Sequence, residues 1–494
     1  MKALKWSVIG LLVILLALPG VLGFLLEQNL EQKLTKALDA NQPQVDINLV
    51  SFERGWFNSR AIIGAKLDPE LVASIVASGE ANDDSGNADP ASKAEIEMLT
   101  RTLDMQLDMH HGPIGFDDEL FLGLLSWTCV PATSNPEILA FQAEHDLADV
   151  FTAAGLTGFL GRTDLTITVP SFNPSKTPTT TLVTQFSGLI LEGYFKITDA
   201  SFDLAGSFDE LEFAAPELDA RLSGATFSTD GRLLARSSLA IGNSRFAIAS
   251  VTGHNNETNE TSLFKNIVVT TQLSQGSSPE VLDSAMNLSA ERFEFGTGTL
   301  ENAKFGMKLE DLSEAAFMEY NEQAALMAKP DANPEQTMLK IESILRQFLQ
   351  HSPRLTIMPF SFTYNGDTLS GGLNVGFDAA GLSKIPNIMG REPTAWLQDI
   401  GAQAMLDIDK GMAEAIAFDQ TRSQIEATVG DNPNITPEQI DQIAEAQVPA
   451  LLDGLRQQGA IKDNGDSYGA VFTYIKGELK LNDQPFPIEQ LLGQ

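Results

Sequence analysis

A single cysteine, Cys129, stands among 494 residues, so no intrachain disulfide can form and no cysteine-rich zinc site can be built. Basic residues are scarce: Lys+Arg number 32 against 66 Asp+Glu, a net charge of −34. No Lys/Arg cluster occurs anywhere, which excludes nucleic acid as a partner, because a polyphosphate is held by a basic patch. The same field repels anionic lipid headgroups. Histidine is thin and scattered at positions 110, 111, 145, 254 and 351. There is no Gly-x-Ser-x-Gly elbow, Walker-type loop, His-Glu-x-x-His or dinucleotide fingerprint. These absences predict a non-enzymatic protein without catalytic residues, cofactor or metal. Cys129, inside the apolar stretch Leu124 to Val130, reads as a small buried hydrophobe rather than a reactive thiol.

What the chain has in quantity is core-forming material, 43% of its residues, so disorder is excluded for the whole. Its longest uncharged stretch lies between Lys5 and Glu27. The run Trp6 to Leu26, through Leu12, Leu16 and Val21, is long enough at about 1.5 Å per residue to cross a bilayer core of roughly 30 Å. Lys2 and Lys5 before it place Met1 on the cytoplasmic side and the remainder beyond the membrane. A cleaved signal peptide is the alternative, with a weak cut at Val21-Leu22-Gly23. The expectation is a single-pass bacterial inner-membrane protein with a periplasmic body. Leu26, Leu30, Leu34 and Leu38 then recur every fourth residue, predicting a juxtamembrane amphipathic helix over 27–40 that could also dimerise.

The expected fold class is α+β: one N-terminal transmembrane helix, then a large, mostly antiparallel β-rich body with flanking helices. Residues 41–160 form an N-terminal part, with strands around Val45 to Leu49, Ile62 to Leu67 and Leu103 to Met109. Residues 161–310 alternate apolar and polar in short runs, predicting a meander with one apolar face. Its turns are expected at Ser187-Gly188, Ser223-Gly224, Asp230-Gly231 and Asn255-Asn256, every 8 to 12 or so residues. Residues 311–494 add helices and closing strands. Asp311 with Glu314 reads as a capping box, Asn333-Pro334 starts a second helix, and Thr436-Pro437-Glu438-Gln439 caps a third that ends at Gly459. Asn365-Gly366 is the strongest hairpin turn. The two central helices are expected to cover the meander's apolar face.

Several short motifs sit in this frame: Ser51-Phe52-Glu53-Arg54-Gly55-Trp56-Phe57-Asn58-Ser59, His111-Gly112-Pro113, and Tyr474-Ile475-Lys476-Gly477-Glu478-Leu479-Lys480-Leu481-Asn482. With the apolar N-terminus, the long meander and the two central helices, they resemble the YdgA family of bacterial inner-membrane proteins. That resemblance implies one N-terminal anchor and a β-rich periplasmic body, and it implies no reaction. Asp483 stands where the family pattern tends to carry glycine, and Asp tolerates a left-handed backbone better than most residues.

Arg54, Gly55, Phe57, His111, Gly112, Pro113, Gly477 and Asn482 therefore read as structural. Arg54 could grip a carboxylate or phosphate, but pairing with the abundant acid is the plainer role. His110-His111 with Asp117-Asp118-Glu119 is the one cluster of metal-type ligands. Adjacent histidines on a strand point to opposite faces, so a turn is favoured over an ion site. The functional expectation is an envelope interaction or scaffold module, partnered with the membrane and with a second copy or another envelope protein. The alternative is a carrier of lipid or another hydrophobic ligand in an apolar β groove.

Overall fold

The computed structural model describes residues 45–67, 103–116, 120–132, 139, 142–143, 149–172, 183–214, 218–235, 237, 239–256, 258–296, 298–327, 334–384, 388, 390–429 and 436–486. The chain divides into two compact units, one of residues 1–215 and 224–240, the other of residues 216–223 and 241–494.

The first unit contains β1 (Val45–Arg54), β2 (Asn58–Leu67), β3 (Leu103–His111), β4 (Ile114–Phe116), β5 (Leu120–Leu122), β6 (Leu125–Pro131), β7 (Thr152–Thr157), β8 (Arg162–Val169), β9 (Val183–Phe186), β10 (Leu189–Lys196) and β11 (Ser201–Ala214). Antiparallel pairing runs β1-β2-β3-β6-β7-β8-β10-β11, with β9 on the other side of β11. A separate two-stranded ribbon, β4 with β5, leaves this sheet after His111. Next along the chain is β12 (Leu218–Leu233).

The second unit is built on β13 (Ala240–Asn255), β14 (Glu260–Gln275), β15 (Val281–Phe295), β16 (Gly298–Ser313), β17 (Arg354–Tyr364), β18 (Asp367–Phe377), β19 (Ile400–Asp409), β20 (Lys462–Asp463), β21 (Ser467–Ile475), β22 (Glu478–Leu481) and β23 (Gln484–Pro485). These pair antiparallel in chain order from β13 to β19, then through β21 and β22 to β23, with β20 on β21. Its helices are α1 (Glu314–Met327), α2 (Pro334–Leu349), the short α3 (Pro393–Trp396), α4 (Lys410–Val429) and α5 (Pro437–Gln457). Helices α1 and α2 pack on each other and on β16. Helix α4 lies on β18, β19 and β21, and α5 packs on α4 through Val448 and Leu452 against Ala417, with Tyr468 of β21 beneath.

The expected fold class needs correction. Among the described residues strand outweighs helix 60% to 21%, and they form a large antiparallel β-sheet structure rather than an α+β body. Among the described residues no helix is long and apolar enough to cross a membrane. The longest ones show why: α4 carries Glu414, Asp419, Arg422 and Glu426, and α5 carries Glu438, Asp441, Glu445 and Asp453. The single-pass inner-membrane placement is accordingly withdrawn. The run from Trp6 through Leu12, Leu16 and Val21 to Leu26, and the helix expected over 27–40, lie outside the described residues.

Two local readings also change. Ser223-Gly224 and Asp230-Gly231 fall inside β12, and strands β11 to β16 run 14 to 16 residues, longer than the expected turn spacing. Gly224 takes φ +63° within the strand, the conformation a bulge needs, so turn-like composition marks an irregularity there instead of a reversal. Asp311 is not a helix cap but a left-handed residue of β16, φ +57°, and the cap is Ser313, whose Oγ accepts the Ala316 N–H at 3.3 Å. The capping box at Thr436 and Gln439 forms as read, the backbone turns left-handed at Gly459, and Asn365-Gly366 joins β17 to β18 with φ +50° and +98°.

Candidate functional site

The motif residues come together in part. Gly55 N–H donates to the Asn58 carbonyl at 2.7 Å in the β1–β2 turn, and a Cβ at Gly55 would collide with Asn58 Oδ1. The His111 N–H donates to the Phe57 carbonyl at 2.7 Å, which joins this turn to the end of β3. Gly112, at φ +132°, and the Pro113 carbonyl, which accepts from Gly123, lead the chain into the β4–β5 ribbon. His111 is buried while His110 lies on the opposite face, as strand alternation requires. Asp117, Asp118 and Glu119 lie outside the described residues. Gly477 and Asn482 belong to the other unit. Gly477 turns the chain at φ +88° between β21 and β22. Asn482 is buried, accepts the Val471 N–H at 2.9 Å, and donates to the carbonyls of Gly459 and Ala460 at 2.9 and 3.1 Å. Each of these residues serves the backbone.

The larger feature, announced by alternation in the sequence, is laid out strand by strand by the register. In an antiparallel sheet, directly paired residues project from the same face. Across the second unit one such row reads Phe246, Val269, Leu288, Phe305, Phe360, Gly371, Leu406, Ala470. The next row reads Met286, Met307, Ile357, Leu373, Ala404, Phe472, Leu481, two residues away except on β17, where a register shift makes it three. Beyond the second row, on the opposite face, lie Gln272, Ala285, Lys308, Thr356, Asn374, Gln403 and Thr473, with Asn374 donating to Thr356 at 3.1 Å. The row between the two apolar ones, Thr270, Asn287, Gly306, Gly372, Met405 and Val471, is mixed, so one side of the sheet is consistently apolar and the other is not.

The apolar side is incompletely covered. Phe246 is 41% and Leu406 40% exposed, and Phe360 is nearly as open, whereas Ala470 beside α4 is buried. A helix is about 10 Å across and strands are about 4.8 Å apart, so each helix shields roughly two strands. A sheet this wide outruns its helices. Gly371 leaves a gap between Phe360 and Leu406, and a Cβ there would meet the Met405 carbonyl at 2.8 Å, so the gap is imposed by the close backbone. The alternation was visible in the sequence; its exposure was not.

The first unit repeats the pattern. Phe52, Ala61, Leu107, Cys129, Ala153, Ile167, Leu191 and Gly206 form one row across β1, β2, β3, β6, β7, β8, β10 and β11. Burial pushes the Cys129 thiol pKa up, which holds it protonated and unreactive. An open groove of about 570 Å³ lies beside this row, along β6, β7, β8 and β10, with Trp127, Leu165, Asp164 and Glu192 among its lining residues. The Trp127 ring lies over Gly155, where a Cβ would come within 2.6 Å of it. Asp164 is held by Arg162 at 2.8 Å, and no histidine, cysteine or lysine is among the described residues of the lining. Among the described residues no group of three His, Cys, Asp or Glu is placed to hold a metal ion.

Residues 1–489 match the model of a family described as bacterial protein of unknown function, DUF945. The chain belongs to the DUF945 family. No curated protein and no solved structure matches it. In this DUF945 chain the short motifs hold turns, and each sheet carries an apolar row across its strands.

Proposed function

We propose that this DUF945 protein is a non-catalytic binding protein whose open, apolar sheet face holds a hydrocarbon chain, as a carrier of lipid or a similar ligand does. One observation carries the reading: the row from Phe246 to Leu406, uncharged and without a hydrogen-bonding side chain, interrupted by the gap at Gly371 and left half-open by the helices. Seven strands at about 4.8 Å make the row roughly 29 Å long. That is about two acyl chains end to end, the same two that make up a bilayer core of roughly 30 Å. Burial is worth roughly 0.8 kcal/mol per methylene, so a chain lying along the row gains enough to bind without any polar anchor.

Within DUF945, the segments Ser51–Ser59, His111–Pro113 and Tyr474–Asn482 support a finer placement beside YdgA-like members. A scaffold role is the competing proposal, in which a second copy or another protein buries the same face.

The test is titration of a fluorescent long-chain fatty acid into the purified chain, with Phe360→Asp and Leu406→Asp as variants. Saturable binding that weakens at least tenfold in both supports the reading. Absence of saturable binding, together with concentration-dependent dimerisation lost in the same variants, would replace it by the scaffold.

A further inference from the structure

The first unit gathers its exposed apolar side chains at one end of its sheet. The register pairs Asn58↔His110, His111↔Leu125, Leu125↔Thr157, Thr157↔Thr163 and Thr163↔Phe195 set the turns of this end side by side. Backbone bonds tie them together: His111 N–H to the Phe57 carbonyl, Leu124 N–H to the Thr157 carbonyl at 2.7 Å, and Ile197 N–H to the Gly161 carbonyl at 2.9 Å. On these tips stand Trp56 and Phe57, Leu122 of the β4–β5 ribbon, Phe159 and Leu160, and Ile197. All are more than half exposed, Trp56 at 60%, Ile197 at 64% and Leu160 at 82%.

Their placement leaves them no route to the core. Phe159 and Leu160 are the central residues of a turn closed by the Gly161 N–H on the Gly158 carbonyl at 3.0 Å, so they point away from the sheet. Such positions ordinarily take small or polar residues. A cluster of large apolar side chains there marks a contact surface.

We propose that this fringe inserts into the interface of an uncharged or zwitterionic lipid surface as a peripheral contact. Three observations select that occupant. The side chains sit on separate protruding turns, which suits a soft, continuous partner better than a packed protein interface of about 1,000 Å² or more. Tryptophan and other aromatics favour the headgroup level. The cations beside two of these turns are neutralised, since Arg162 pairs with Asp164 at 2.8 Å and stacks on Tyr194, and Lys196 pairs with Asp199 at 2.9 Å. With a net charge of −34 behind it, the fringe suits headgroups that carry no net negative charge. The contact requires no spanning helix and stands independently of the acyl-chain reading for the second unit.

The test uses the full chain with Cys129→Ser and Leu160→Cys, labelled at position 160 with a polarity-sensitive fluorophore and mixed with phosphatidylcholine vesicles. A blue-shifted emission, quenched by brominated acyl chains, is expected at position 160. A label at Asp203→Cys on the polar face should show neither effect. With Leu160 kept and Leu122→Cys labelled instead, in the same Cys129→Ser background, the shift should recur. A label at 160 that stays in water while the chain is bound to vesicles overturns the proposal. So does a shift that appears without vesicles and scales with protein concentration, which would assign the fringe to a second copy.

Discussion

The N–H of His111 donates to the carbonyl of Phe57 at 2.7 Å. This bond makes one corner out of two motifs distant in the chain: the Arg54-Gly55 turn and the His111-Gly112-Pro113 exit from β3. Arg54 then lies at the last pair of the β1–β2 ladder, opposite Ser59, and the corner sets where the apolar tips of the first unit begin. The motifs thus act through position, by fixing where these turns stand at the end of the sheet.

Gly55→Ala tests the corner. The new Cβ would fall 2.6 Å from the Asn58 carbonyl oxygen, so the turn must open. The expected loss is about 1–3 kcal/mol, comparable to other overpacked sites, read as a lower urea midpoint. An unchanged midpoint would show that the turn relaxes freely.

Asn482 ties the end of β22 to the segment after α5. Asn482→Ala removes the acceptor of the Val471 N–H and the donor to two carbonyls at a buried position, which should cost about 2–4 kcal/mol. Asn482 also sits at φ +52°, so Asn482→Gly should be milder than alanine by about 1 kcal/mol while still losing the bonds. Asp483 follows at φ +70° with its side chain in solvent, and Asp483→Gly should leave the denaturation midpoint unchanged or slightly raised.

Asp199 provides a pH marker at the apolar end of the first unit. The Ser201 hydroxyl donates to it at 2.6 Å and Lys196 pairs with it at 2.9 Å, and these hold its pKa down from 3.8 to about 2. A depressed folded pKa means that the stabilisation is present above 3.8 and disappears as the pH falls through about 2. Carboxyl NMR should give a midpoint near 2 for Asp199. Ser201→Ala should move it up toward the ordinary value, and a midpoint already near 3.8 in the parent chain would refute the pairing.

Much of this architecture is readable from residues alone, for identifiable reasons. Asn365-Gly366 and Thr436 to Gln439 act through local chemistry, so their turn and cap appear as expected. Ser223-Gly224 misleads because a glycine conformation serves a bulge as well as a reversal, and the flanking strand partners decide between them. Asp311 misleads because Ser313 offers an equivalent cap two residues on, once β16 has delivered the chain there. The alternation of Phe305, Met307 and Leu309 announces an apolar face. That Phe305 stands beside Leu288 and Phe360 is a matter of register, which only long-range pairing fixes.

Register also separates a binding face from a core. Leu282 is fully buried, so Leu282→Ala should cost about 2–5 kcal/mol through its lost burial and the cavity left behind. Phe360 and Leu406 face the half-open row, and part of each already lies in water. Phe360→Ser with Leu406→Ser should therefore cost less than the single Leu282 change, because only the buried fraction of each side chain is lost. If the row holds a hydrocarbon chain, the same pair should weaken fatty-acid binding at least tenfold, since the ligand covers what the protein leaves open. Parallel urea denaturation and probe titration check both halves. A double variant as unstable as Leu282→Ala would make the row a core, and the binding-face reading would fall with it.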